Sequence, residues 1–283
     1  MAQHSSFVQA AGLRWHVQQM GLSPNDAPLL LLVHGTGAST HTWRHLVPLL
    51  QGRFALMAMD LPGHAFTSQA TAEQLSMPGM ARALAALLQK MQVRPTFAIG
   101  HSAGAALLIR MALDGLLGDS PHAQRIVAIN GAFLPFGGVA APLFAPLARL
   151  LYAAPFVPRL FAHRAGDHAV VQRLISGTGS QLDTAGTALY ARLMQSPAHA
   201  ASALGMMAHW DLGKLAHDLP RLGTPLQLIV GERDAAVPPR QAQQVARLCP
   251  QTQVITLPGL GHLAHEEDAA AVANCLNLGA FPI

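Results

Sequence analysis

The sequence predicts an α/β fold in which a mostly parallel central sheet is flanked by helices and carries an inserted helical lid. Three observations lead there. Short apolar runs alternate with helix-spaced segments toward both ends of the chain, the pattern of parallel strands joined by crossover helices. Runs such as Leu29 to Val33 are apolar without alternation, as expected of strands covered on both faces. From about Phe133 to Leu219 that rhythm stops, and the segment is helical in spacing, rich in Ala, Leu and Pro, and without a strand pattern. The division is therefore residues 1–132 and 220–283 for the core and 133–219 for the lid.

In chain order, Phe7 to Val17 reads as an antiparallel edge pair and Leu29 to Val33 as a central strand. Phe54 to Met59 is the next strand and stops at Asp60-Leu61-Pro62-Gly63, which is turn chemistry. Pro78 to Met91 has helical spacing, Thr96 to Ile99 is a strand, Ala103 to Leu116 a helix and Arg125 to Ile129 a strand. After the lid come the strand Leu226 to Val230, a helix over Pro239 to Leu248, the strand Gln253 to Leu257 and a closing helix from about His265 to Leu278.

Composition narrows the function classes. With 283 residues and 51% hydrophobic content the chain has enough apolar material for one large core. No apolar run reaches the roughly 18 residues of a spanning helix, and Met1 to Gln9 lacks the basic head of a signal peptide. A cytoplasmic protein without a transmembrane segment is expected. The two cysteines, Cys249 and Cys275, form no CxxC pair, so neither a disulfide framework nor a structural zinc site is expected. The net charge of +4 comes from single, dispersed arginines and lysines, which argues against a nucleic-acid partner. His41 and His45 stand at i, i+4 without the adjacent Glu of a zinc-protease helix, and His262-Leu263-Ala264-His265-Glu266 does not fit the inverted order. Neither a catalytic metal nor a cofactor is expected.

Four short motifs carry the chemistry. Gly100-His101-Ser102-Ala103-Gly104 follows a strand and opens a helix; its glycines give Ser102 room for a strained turn that lifts the hydroxyl above the sheet. His34-Gly35-Thr36-Gly37 follows the first central strand, where a backbone N–H is needed for an oxyanion. Thr36, paired with Ala103, is the expected oxyanion hole, with Gly37 as the nearby alternative. Asp234 ends Gly231-Glu232-Arg233-Asp234 and is the expected acid, with Glu232 its competitor. Gly259-Leu260-Gly261-His262 supplies the base, and His265, followed by Glu266 and Glu267, reads as the start of the closing helix with acids at the favourable end of its dipole.

The order Ser102, Asp234, His262 and the four motifs together resemble the α/β-hydrolase superfamily over nearly the whole chain. A narrower likeness lies in His34-Gly35-Thr36-Gly37-Ala38-Ser39-Thr40, Asp60-Leu61-Pro62-Gly63-His64, Gly100 to Ala106, Gly205-Met206-Met207-Ala208-His209-Trp210-Asp211-Leu212 and Pro258 to Glu267. These segments look like hydrolase-like proteins encoded with bacteriochlorophyll biosynthesis genes and labelled magnesium chelatase accessory proteins. The resemblance implies a cytoplasmic protein of phototrophic bacteria connected with tetrapyrrole metabolism and photosynthesis, while the triad residues themselves lead to the expectation of a serine hydrolase acting on an ester or related acyl bond of an apolar substrate. Two other functions stay open: a non-catalytic tetrapyrrole-binding accessory protein that partners magnesium chelatase, and a carbon–carbon bond hydrolase of the meta-cleavage type. Serine in place of an aspartate nucleophile argues against dehalogenase and epoxide-hydrolase chemistry. For the substrate pocket the expected residues are Gly35, Gly37, His101 and Trp210. Phe133, Phe136, Phe144, Tyr152, Phe156, Phe161, Tyr190, Met194, Met206 and Met207 make up the rest of an apolar lid set suited to a flat macrocycle, with an arginine near its acidic edge.

Overall fold

A computed structural model of the chain describes residues 4–117, 125–135, 150–152, 154, 156–164 and 167–278. Eight strands form one sheet: β1 (Ser5–Ala10), β2 (Leu13–Gly21), β3 (Leu29–Val33), β4 (Ala55–Met59), β5 (Phe97–His101), β6 (Arg125–Ile129), β7 (Leu226–Gly231) and β8 (Gln253–Leu257). Their spatial order is β1-β2-β4-β3-β5-β6-β7-β8. The pairs β1–β2 and β2–β4 are antiparallel, and every later pair is parallel.

The uninterrupted apolar runs have a direct structural cause. In β3, Leu29, Leu31 and Val33 belong to the core on one face of the sheet, while Leu30 and Leu32 belong to the core on the other. Helices α1 (Met77–Lys90) and α2 (Ala103–Leu113) bury Met80, Leu84 and Leu108 in the first core. Ser76 caps α1 by accepting from the Gly79 N–H at 3.2 Å, and Pro78 sits in the first turn, where no N–H is needed. The second core takes Trp43, Leu46 and Val272.

Between β6 and β7 the described residues contain helices α3 (Val157–Arg164), α4 (His168–Gly177), α5 (Thr184–Met194), α6 (Pro197–His209) and α7 (Leu212–Asp218), and no strand. Asp167, Asp183, Ser196 and Asp211 cap the last four of these through side-chain bonds to first-turn N–H groups. Helix α8 (Arg240–Leu248) then joins β7 to β8. None of the helices among the described residues is long and apolar enough to cross a membrane.

Two expectations need correction. Strand β5 runs on to His101, so the serine follows it directly. The closing helix is two pieces, Ala264–Glu267 and α9 (Ala269–Cys275). Asp268 breaks it with φ −145° and ψ 83°, and its carboxylate accepts from the Ala271 N–H at 2.8 Å to cap the second piece.

Candidate active site

Ser102 stands between β5 and α2 with φ 51° and ψ −117°, a conformation that costs a non-glycine residue about 1–3 kcal/mol. The surrounding backbone holds it there. Its N–H donates to the Ile129 carbonyl at 3.0 Å, and its own carbonyl accepts from Ala105 and Ala132 at 3.2 Å. The turn also demands bare backbone beside it: a Cβ on Gly104 would lie 2.2 Å from the Val33 carbonyl oxygen and 2.4 Å from that of His34. Ala103, the first residue of α2, has an N–H without an intrahelical partner and lies beside the serine.

Asp234 follows β7 in a tight loop and is buried. Its Oδ1 accepts from the N–H groups of Ala236 at 2.9 Å and Val237 at 2.8 Å, and its Oδ2 accepts from His262 Nδ1 at 2.8 Å. That bond puts the His262 proton on Nδ1 and leaves Nε2 as the nitrogen available to a serine hydroxyl. Among the described residues no hydrogen bond joins Ser102 to His262, a contact that in unliganded enzymes commonly tightens only with substrate. Glu232 does not compete: it is exposed and accepts from the Gly259 N–H at 2.9 Å.

Asn130 is a site residue that the sequence reading missed. Its side-chain amide donates to Asp234 Oδ2 and, at 3.2 Å, to the Gly261 carbonyl, linking the acid to the loop that carries His262. The available signal was an Asn directly after β6, since its φ of 49° is one that Asn tolerates better than most side chains.

The glycine loop after β3 is aimed by His34. His34 Nδ1 donates to the Gly35 carbonyl at 2.8 Å while Nε2 accepts from the Leu61 N–H at 2.9 Å. In a trans peptide the Gly35 C=O and the Thr36 N–H point in opposite directions, so holding the first orients the second. Burial lowers the His34 pKa to about 4, against the opposing attraction of Asp60, and keeps the ring neutral in the tautomer that this arrangement needs.

Ser102, His262, Thr36, Gly37 and Ala103 all line one cavity of about 1120 Å³. Its far walls come from the inserted helices, including Met194, His199, Met206, Met207 and Trp210. Two expected pocket residues lie elsewhere. His101 is buried behind the site, where Nε2 donates to the His262 carbonyl at 2.9 Å and its ring centroid lies 4.8 Å from that of His262. Burial, then the neighbouring His265 and His262, hold His101 well below the ordinary histidine range. Gly35 is packed from the same side, since a Cβ there would meet His101 Nδ1 at 2.8 Å.

The rest of the apolar set divides by environment. Phe133 packs in the core, Tyr190 is buried in a polar cluster and Phe156 is exposed. Phe136, Phe144 and the side chain of Phe161 lie outside the described residues. Among the described residues the cavity lining holds no arginine or lysine and one acidic side chain, Asp211; Arg149 of the inserted segment lies outside them.

His265 lies in the first turn of the closing helix as expected, with Glu266 and Glu267 beside it. It is fully buried, with Nε2 2.6 Å from Thr42 Oγ1 and its ring 4.5 Å from that of His101. Thr42 Oγ1 donates to Glu266 Oε1 at 2.7 Å, so it must accept from His265 Nε2. Tyr190 on α5 donates to the same carboxylate oxygen at 2.6 Å, and Arg44 pairs with the other. Burial raises the Glu266 pKa, and the bonds from Thr42, Tyr190 and Arg44 pull it back. Burial likewise lowers His265 and His41 to about 3. This buried cluster ties the inserted helices to the loop that carries the site histidine.

Residues 28–269 match the family described as the alpha/beta hydrolase fold. The chain is 38% identical over 262 residues to the magnesium-chelatase 30 kDa subunit of Rhodobacter capsulatus, covering 93% of this chain and 89% of that one. It is 25% identical over 250 residues to the pimeloyl-[acyl-carrier protein] methyl ester esterase of Vibrio vulnificus, with 85% and 87% covered. Among solved structures, an alpha/beta hydrolase fold protein from Burkholderia ambifaria superposes with a TM-score of 0.74 at 23% identity, covering 95% of this chain and 98% of that one.

Proposed function

The chain belongs to the α/β-hydrolase fold family, and from that premise we propose that it is a serine hydrolase of a large apolar ester in tetrapyrrole metabolism. One observation carries the reading: a serine in a strained strand-to-helix turn and a histidine paired with a buried aspartate open onto the same cavity. In the proposed reaction His262 Nε2 removes the Ser102 proton as Oγ bonds to the ester carbonyl carbon. The N–H groups of Thr36 and Ala103 receive the oxyanion. Collapse of the tetrahedral intermediate breaks the acyl–oxygen bond, and the leaving alcohol takes the proton from His262. Water, deprotonated by the same nitrogen, then releases the acid and restores the serine.

The cavity walls, with Ala, Leu, Met and Trp side chains, support an apolar substrate. The 38% identical relative named for magnesium chelatase supports the tetrapyrrole connection, and the methyl ester esterase supports the bond type. That same chelatase name favours a second reading, in which the cavity delivers a tetrapyrrole to magnesium chelatase without chemistry.

A fluorophosphonate is expected to label the purified protein at Ser102, as located by mass spectrometry; labelling elsewhere, or none under conditions that label known esterases, overturns the hydrolase reading. Fluorescence titration should give saturable binding of protoporphyrin dimethyl ester, at least tenfold tighter than the free diacid. Binding of neither would remove the tetrapyrrole and leave a hydrolase of other apolar esters. For the delivery reading, Ser102→Ala should still stimulate magnesium insertion in a reconstituted chelatase assay.

A further inference from the structure

Helix α6 (Pro197–His209) touches the glycine loop at two points. His199 Nε2 donates to the Gly37 carbonyl at 3.0 Å, and Thr36 Oγ1 donates to Met206 Sδ at 3.3 Å. His199 and Met206 are seven residues apart, two helical turns, and so share one face of α6. Both are buried. The second nitrogen of His199 is also used, since Nδ1 accepts from the Ala65 N–H at 3.0 Å. The ring is thereby fixed as the Nε2–H tautomer between two loops, with the His64 ring 5.1 Å away. Burial keeps it below the ordinary histidine range and therefore neutral, as a ring that both donates and accepts must be.

From these contacts we infer that α6 sets the oxyanion loop, with His199 and Met206 acting as positioning residues for the Thr36 N–H. The inference rests on the hydrolase reading above. His34 holds the Gly35–Thr36 peptide from the core side. His199 and Met206 hold the following residue's carbonyl and the threonine side chain from the inserted side. Gly37 follows with φ +74° and open space around its Cβ position, so no neighbour packs against that side of it, unlike Gly35, which lies against His101. An inserted helix in place is thus a condition for a correctly aimed donor. This couples the seating of α6 to oxyanion stabilisation.

The test is the rate of Ser102 phosphonylation by a fluorophosphonate, resolved into its limiting rate constant and its half-saturating concentration. His199→Ala is expected to lower the limiting rate about 10- to 100-fold, the size of effect that follows from a misplaced donor, with half-saturation within about twofold of wild type. His199→Gln, whose amide can donate to Gly37, should recover most of that loss. Met206→Leu keeps the volume but removes the sulfur acceptor, and should cost about three- to tenfold in the same parameter. If His199→Ala is too unstable to assay, Met206→Leu decides: a wild-type limiting rate in that variant overturns the inference. A labelled wild type with an equally fast His199→Ala overturns the positioning role and leaves the hydrolase reading intact. A wild type unlabelled at Ser102 removes both.

Discussion

Ser102→Ala and His262→Ala are each expected to lower ester turnover by about four orders of magnitude or more while the melting temperature stays within a few degrees of wild type. In the proposed reaction the two groups act as one unit, so either loss would remove its covalent route and leave only binding and the proposed oxyanion donors. Asp234→Asn should come close to them, because the Ala236 and Val237 N–H groups would keep the amide oxygen and turn its NH2 toward His262 Nδ1, which favours the wrong tautomer. His265→Ala supplies the contrast. Its Nε2 is committed to Thr42 and its ring is walled in by Trp43 and His101, so the change should cost stability rather than reaction rate. Steady-state kinetics on graded p-nitrophenyl esters, with thermal melts alongside, would check this. A His265→Ala variant more impaired in turnover than His262→Ala would show that the base has been misassigned.

The second large effect is with acid. In the folded chain His34 takes a proton only near pH about 4, and His41 and His265 only near about 3, in each case chiefly through burial. His64 and His101 are lowered as well. An ordinary histidine in the unfolded chain charges near pH 6.5. Between these limits the unfolded chain binds protons that the folded chain declines, so this contribution is complete above about pH 6.5 and is lost as pH falls. Each such histidine contributes on the order of 1 kcal/mol per pH unit, against a total stability of about 5–15 kcal/mol. Cooperative unfolding is therefore expected between about pH 5.5 and 4, with uptake of three or more protons. Calorimetry at pH 5.5 in buffers of different ionisation enthalpy measures that uptake directly. A melting temperature unchanged from pH 7 to 5 would contradict it.

What was legible in the sequence divides by the range of the interactions. Strands β3, β4 and β6 were readable because burial on both faces leaves an unbroken apolar run. Ser102, Asp234 and His262 stand out in the sequence because each follows a strand in a turn whose glycines or prolines are themselves a signal. Glu266 lies in the first helical turn as its sequence context indicates, but its burial is not legible there, because its partners Thr42 and Tyr190 are 224 and 76 residues away in the chain. His199 is hidden for the same reason, with Gly37 at a separation of 162 residues. His101 was placed in the pocket because it adjoins the serine, but it ends a strand whose side chains alternate between faces, so its neighbour's exposure says nothing about its own.

The excursion that roofs the cavity begins at Ala132 and Pro135 and returns at Trp210 and Leu212, and all four line that cavity. The parallel sheet and its three site-bearing turns are thus complete without it, and α7 alone is left to carry the chain back toward β7. Such an arrangement separates inheritance of the chemistry from inheritance of the substrate. Mutations, and even changes of length, can accumulate between those rims at a small entropic cost, about 0.6 kcal/mol for a doubling of a flexible segment, without moving Ser102, Asp234 or His262. The exceptions are inserted side chains that grip the core, among them His199, Met206, Tyr190, Ser180 and Trp210. Descendants of this chain that acquired new substrates would be expected to vary most between those anchors and least at them.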